Sequence, residues 1–227
     1  GQGCVRAALD AGITSFDTAD AYANTVAEEV LGDALKGERR ESLEIFTKVF
    51  WPIGPKGAND VGLSRKHIME GLNGSLRRLG TDYVDLYQAH CYDVETPLEE
   101  TMSAFADIVH QGKALYIGVS EWTADQIREG ARLAKELRIP FVSNQPQYSM
   151  LWRSIEEWIE KFEAKLKPGN DDWMVLLMLA QAASFDPDPD AAFGLRLPVT
   201  WDTCEMIADR WQNWLKFDPA QMVETRW

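Results

Sequence analysis

The stretch GLSRKHIMEGLNGSLRRLGTDYVDLYQAH, residues 62–90, decides the fold class. Ser64 stands just ahead of an apolar stripe at Ile68, Leu72, Leu76 and Leu79. That spacing gives a helix one buried face, and serine is a favoured residue at a helix N-terminus. The pattern predicts a helix over Ser64–Leu79. Tyr83–Gln88 (YVDLYQ) then reads as a strand, with His90 just past its end.

The same alternation runs outward in both directions. Toward the N-terminus, Gln2–Ala11 reads as a helix stopped by Gly12, Thr14–Thr18 as a short strand, Val26–Leu35 as a helix and Leu43–Val49 as a strand. Toward the C-terminus, Leu98–Val109 is a helix ended by Gly112, and Ala114–Val119 a strand. Thr123–Leu137 is a helix with a threonine cap, and Phe141–Gln145 a strand. Strands separated by helices imply parallel pairing through βαβ crossovers. A (β/α)8 barrel and an open doubly wound sheet both satisfy this pattern. No GxGxxG follows a strand, so the dinucleotide fingerprint of a Rossmann fold is missing. No GxSxG marks a hydrolase nucleophile.

Composition narrows the function classes. The 227-residue chain is 45% hydrophobic and 11% aromatic, with a net charge of −13. That is a globular composition. The acidic balance argues against nucleic acid, whose phosphates call for a basic face. No apolar run is long enough to span a membrane. Cys4, Cys91 and Cys204 lie far apart without a CxxC, which argues against a disulfide framework or a zinc site. It fits a reducing, cytoplasmic compartment. The composition also breaks near residue 150: 14 of 16 glycines precede it, and seven of nine tryptophans follow it. The opening GQGCVRAALDAG lacks Met and reads as the middle of a helix, which is expected of a cut N-terminus.

Each predicted strand ends in an ionisable or amide residue. Asp17 ends the first and Lys48 the second. His90 follows the third, Ser120 and Glu121 the fourth, and Asn144 and Gln145 the fifth. In a (β/α)8 barrel these ends converge on one face, where catalytic groups sit. Taken singly, each has an ordinary explanation: a turn cap, a solvated lysine, a core histidine, a helix cap. Tyr22, taken alone, is a half-buried loop aromatic. Together they would make a proton-transfer site. A phenol with an ordinary pKa near 10 is a poor acid at neutral pH. A lysine beside it favours the phenolate. An aspartate would hold that lysine charged and oriented, and a histidine would orient a carbonyl oxygen. The product is a general acid for an oxygen that gains negative charge, as in carbonyl reduction. Hydride must then come from a cofactor.

These motifs resemble the aldo-keto reductase family, in the branch of potassium channel β-subunit-like reductases. The similarity runs over residues 1–152, about two-thirds of the chain. It rests on GITSFDTADAYA (12–23), EIFTKVFW (44–51), the 62–90 stretch, TPLEETMSAF (96–105), GKALYIGVSEW (112–122) and VSNQPQYSMLWR (142–153). The resemblance implies a (β/α)8 TIM barrel and NADPH-dependent reduction of aldehydes and ketones. It assigns Tyr22 as proton donor, with Lys48 and Asp17 tuning it and His90 orienting the carbonyl. It assigns Ser120 and Gln145 to the nicotinamide carboxamide. It also assigns Glu121, which stands where many relatives have Asn, to the cofactor, and Trp51 matches an aromatic of the substrate pocket. Against the family pattern, the first strand and the last two strand–helix units are missing. The expected fold is therefore a partial barrel of about five parallel strands, with open edges that would favour a homo-oligomer.

Residues 154–227 read as a separate, helical, tryptophan-rich segment. SIEEWIEKFEAKLK (154–167) is amphipathic, with Ser154 and Glu157 at capping-box spacing. DPDPD (186–190) reads as a stiff turn, since it lacks the glycine and terminal glutamate of a calcium loop. Residues 174–223 have a more limited similarity to the helical insert of α/β-hydrolase esterases. The expected organisation is a barrel fragment over 1–153 joined to a segment of other origin. The leading functional expectation is carbonyl reduction of a small-molecule substrate, with no nucleic-acid or membrane partner. A non-catalytic binding or regulatory module and an inactive truncated fusion are the alternatives.

Overall fold

The computed structural model describes residues 1–147 apart from 56 and 58. The expected junction near residue 153, the helical segment 154–227 and the esterase-like stretch 174–223 lie outside the described residues.

Among the described residues helices and strands alternate: α1 (Gln2–Asp10), β1 (Ser15–Asp17), α2 (Val26–Leu35), β2 (Glu44–Val49), α3 (Arg65–Leu79), β3 (Val84–Ala89), α4 (Leu98–His110), β4 (Ala114–Ser120), α5 (Ala124–Leu137) and β5 (Phe141–Gln145). The five strands are all parallel, and their spatial order is their chain order, β1-β2-β3-β4-β5. A doubly wound sheet reverses direction at a switch point. No reversal occurs among the described strands, so the five-stranded sheet is a partial (β/α)8 barrel.

Local chemistry explains the elements. Ser64 caps α3 by accepting the His67 amide at 3.3 Å. Thr123 and Gln126 close a full capping box on α5. The stripe Ile68, Leu72, Leu76 and Leu79 is buried, as its spacing requires. It packs in one core with Val49, Tyr87, Phe105, Ile117 and Phe141.

Two local features depart from expectation, and both lie beside Arg40. A 3-10 turn, Arg40–Ser42, precedes β2. The Arg40 guanidinium donates to the carbonyls of Leu43 (2.8 Å) and Tyr83 (3.0 Å) and to the Asp85 carboxylate (2.6 Å). The Tyr83 carbonyl is claimed this way, and β3 begins at Val84; it runs on to Ala89, which pairs with Val49 and Val119.

Two glycines permit close approaches. A Cβ on Gly118 would lie 2.0 Å from Ser143 Oγ. Its absence lets Ser143 on β5 reach across β4 and donate to Gln88 Oε1 on β3 at 3.3 Å. Gly32 on α2 lies against the end of α3, where a Cβ would meet the Arg78 carbonyl oxygen at 2.5 Å. That neighbour is backbone and cannot swing aside. Gly32→Ala should therefore lower stability by roughly 1–3 kcal/mol, the usual cost of overpacking, measurable by urea denaturation.

Candidate active site

The register places the strand-end residues on one face. Lys48 pairs in row with Gln88, Gly118 and Ser143. Asp17 pairs with Phe46, two residues before Lys48, and Ser120 pairs with Gln145, two residues beyond the Gly118–Ser143 row. Side chains alternate faces along a strand, so Asp17, Lys48, Ser120 and Gln145 share a face. Asn144 pairs with Val119 in the intervening row and belongs to the opposite face.

Lys48 is the centre of the site. It is only 1% exposed, a burial that a lysine tolerates only with partners. Its Nζ donates to Asp17 Oδ2 at 2.6 Å and to the Thr18 carbonyl at 2.9 Å, and lies 3.5 Å from the Tyr22 hydroxyl. The last distance is the long edge of a hydrogen bond, as catalytic contacts often are before substrate binds. Gln145 Nε2 reaches the same Asp17 oxygen at 3.4 Å.

Tyr22 arrives from the turn after β1 rather than from a strand. Ala23, Asn24 and Thr25 all hold left-handed backbone, at φ of 49°, 51° and 78°. Such a run of non-glycine residues is strained and persists only where other contacts fix it. Asn24 Oδ1 accepts the Gly54 amide at 2.6 Å, tying this turn to the segment after β2. The Tyr22 side of the turn is accessible, with the residue 41% exposed.

His90 completes the group. Its amide donates to the Val49 carbonyl at 3.0 Å, and its ring meets Tyr22 edge-on at 5.6 Å between centroids. Its Nδ1 is buried without a hydrogen-bond partner. Burial, and secondarily the Lys48 charge, push its pKa down from 6.5 to about 4. His90 is therefore neutral at neutral pH and suits orienting a carbonyl rather than donating the proton.

The sign of its effect on stability follows. The unfolded imidazole takes a proton near pH 6.5, and the folded one only near 4. Between these the unfolded chain binds more protons. The His90 contribution is fully present above about pH 6.5 and is lost as pH falls toward 4. His90→Asn should flatten this part of the pH dependence of Tm, measured against the parent chain between pH 4 and 6.5.

The remaining expected residues sit around this group with other immediate partners. Ser120 Oγ donates to the Gln145 carbonyl at 2.6 Å. Glu121 holds left-handed backbone, φ 58°, and its carboxylate accepts the Gln147 amide. Trp51, 44% exposed, stacks edge-on against Phe50 at 4.9 Å.

With this geometry in place, comparison with known proteins is direct. Residues 2–167 match the model of the aldo/keto reductase family. The chain belongs to the aldo/keto reductase family. A voltage-gated potassium channel β subunit of Schizosaccharomyces pombe is 45% identical over 168 residues, covering 73% of this chain and 47% of the relative. Proteins of the same name from Oryza sativa subsp. japonica and Arabidopsis thaliana are each 47% identical. They cover 66% and 63% of this chain, and 46% and 44% of their own lengths. The chain thus falls in the channel β-subunit-like branch, and it spans about half the length of the curated relatives it matches.

The structure adds residues that the motif reading missed. Asp20 is buried directly beside the site, and Glu28, 0% exposed, takes bonds from Thr47 Oγ1 at 2.5 Å and Arg78 Nε at 2.6 Å. For Glu28 the available signal was its place within AEEV, because a carboxylate on the apolar side of a helix calls for a partner.

Proposed function

We propose that this reductase chain transfers hydride from NADPH to an aldehyde or ketone, with Tyr22 as general acid. The observation that carries the reading is Lys48 Nζ joining Asp17 to the Tyr22 hydroxyl, with the His90 ring against Tyr22. The donor set fits a nicotinamide carboxamide, which needs both a donor and an acceptor. Ser120 supplies a hydroxyl and Gln145 a side-chain amide, side by side in one register row and on the face of Lys48. These two residues would hold the carboxamide, and Glu121, next in the chain after Ser120, would be a further cofactor contact. When bound, the reduced nicotinamide supplies the hydride.

The chain's own residues do the rest. His90 donates a hydrogen bond that aims the carbonyl oxygen at Tyr22. As the carbonyl carbon is reduced, the C=O electron pair moves onto oxygen, and the Tyr22 hydroxyl gives that oxygen its proton. The adjacent Lys48 charge stabilises the phenolate left behind. Asp17 holds Lys48 in place, and solvent returns a proton to Tyr22. Trp51 would border the substrate. The test is a steady-state assay of the purified chain with NADPH and 4-nitrobenzaldehyde. One 4-nitrobenzyl alcohol per NADPH oxidised is expected, and no turnover at any concentration would sink the reading.

The names of the relatives support a second reading, a non-catalytic module that binds a voltage-gated potassium channel, alone or as a homo-oligomer. Co-purification with such a channel, together with absent NADPH turnover, would favour it.

A further inference from the structure

We propose that Asp20 keeps its proton on the acid side of neutrality, and that this neutral acid is a positioning residue that preserves the full effect of Lys48 on Tyr22. The inference rests on the reading of Tyr22 and Lys48 as the proton-donating pair.

The geometry leaves Asp20 no other comfortable state. It follows β1, in the turn that carries Tyr22, and its amide donates to the Lys48 carbonyl at 3.3 Å. It is 1% exposed, and neither carboxyl oxygen has a hydrogen-bond partner. Four charged or titratable groups face it from four elements: Glu28 of α2, Lys48 of β2, Arg78 of α3 and Tyr87 of β3. Each is already committed. Arg78 is paired with Glu28, Lys48 with Asp17, and the Tyr87 hydroxyl donates to the Ile68 carbonyl at 3.2 Å.

Two cations therefore face three carboxyl groups, and Asp20 is the one without a counter-ion. A buried carboxylate with no partner sheds its charge by keeping its proton. Burial first, and the Glu28 charge second, raise its pKa from 3.8 to about 7, against smaller opposing pulls from the Ala21 amide, Arg78 and Lys48. Once ionised, Asp20 would be a second anion facing Lys48. Its charge would oppose the negative charge that Tyr22 acquires as its proton leaves. Below its titration that opposition is absent.

The effect on stability runs opposite to that of His90. The unfolded Asp20 loses its proton near pH 4 and the folded one only near 7. Its stabilising contribution is complete below about pH 4 and is lost as pH rises toward 7.

The test is carbon-13 NMR of the full chain, labelled at aspartate carboxyl and tyrosine Cζ carbons, with Asp20→Asn and Tyr22→Phe assigning the two signals. One aspartate carboxyl should titrate with a midpoint near pH 7, and the Tyr22 signal should show an inflection at the same midpoint. Asp20→Asn should delete that inflection and move the alkaline fall of kcat/KM to higher pH, without a matching change in KM. It should also remove the loss of Tm between pH 4 and 7. An Asp20 midpoint near 4, or a Tyr22 signal indifferent to it, overturns the proposal. The wild-type titration decides the protonation state even if Asp20→Asn does not fold. Both NMR results without any turnover would refute the catalytic reading and leave the state of Asp20 standing.

Discussion

Tyr22→Phe should cut kcat for aldehyde reduction by about a hundred- to ten-thousandfold, the range for losing a positioned general acid. The substitution removes one oxygen and keeps the ring, so the edge contact with His90 and the Lys48 position over the ring, 5.1 Å from its centroid, can remain. Tyr22 is 41% exposed, and stability should change by no more than about 0.5 kcal/mol. Binding of NADPH, followed by fluorescence titration, should be unchanged. A large loss in kcat with intact binding and folding marks a group that acts only in the transition state. Lys48→Met should lose a similar factor, because Tyr22 keeps its proton but loses the charge that stabilises its anion. Retention of more than a tenth of kcat in Tyr22→Phe would remove Tyr22 from the mechanism.

The largest expected stability effect lies beneath the rim. Arg78→Met should cost roughly 3–5 kcal/mol, the penalty for breaking a buried ion pair on one side. Arg78 Nε bonds Glu28 Oε2 at 2.6 Å, and Glu28 is 0% exposed. Without Arg78, Glu28 keeps its bond from Thr47 but loses its counter-ion, with Asp20 close by and equally unpartnered. Such a loss is a large fraction of the stability of an ordinary domain. The double variant Glu28→Leu/Arg78→Met should recover most of it, since neither charge then remains buried. Urea denaturation at neutral pH reads both. A single-variant cost no larger than the double-variant cost would contradict the account of this pair.

The helices and strands were legible because their signals are local. The Ile68–Leu79 stripe has helical spacing and the Ser64 cap precedes it, so α3 could be read without knowing its neighbours. The choice between barrel and doubly wound sheet was not local. It depends on which strand lies beside which, and βαβ alternation is common to both. Arg40 shows the same limit on a smaller scale. Its turn exists because its guanidinium reaches Tyr83 and Asp85, more than forty positions along the chain.

At the site, the grouping of Asp17, Lys48 and His90 was legible from their places at strand ends, and that of Tyr22 from the FDTADAY motif. What pattern reading could not supply was the accounting of charges. Asp20 looks like one more acid in a turn until Glu28 is found holding Arg78 and Asp17 holding Lys48. Glu121 likewise looks like a cofactor contact by position, and the bond its carboxylate takes from the Gln147 amide was not legible in the sequence.

The most direct measurement follows the hydrogen itself. The chain is incubated with NADPH carrying deuterium at both C4 positions of the nicotinamide and with 4-nitrobenzaldehyde, and the product is analysed by mass spectrometry. The account predicts 4-nitrobenzyl alcohol carrying one transferred deuterium on the carbinol carbon, formed by the parent chain and not by Tyr22→Phe. Alcohol without that deuterium, or labelled alcohol formed equally by Tyr22→Phe, would contradict it.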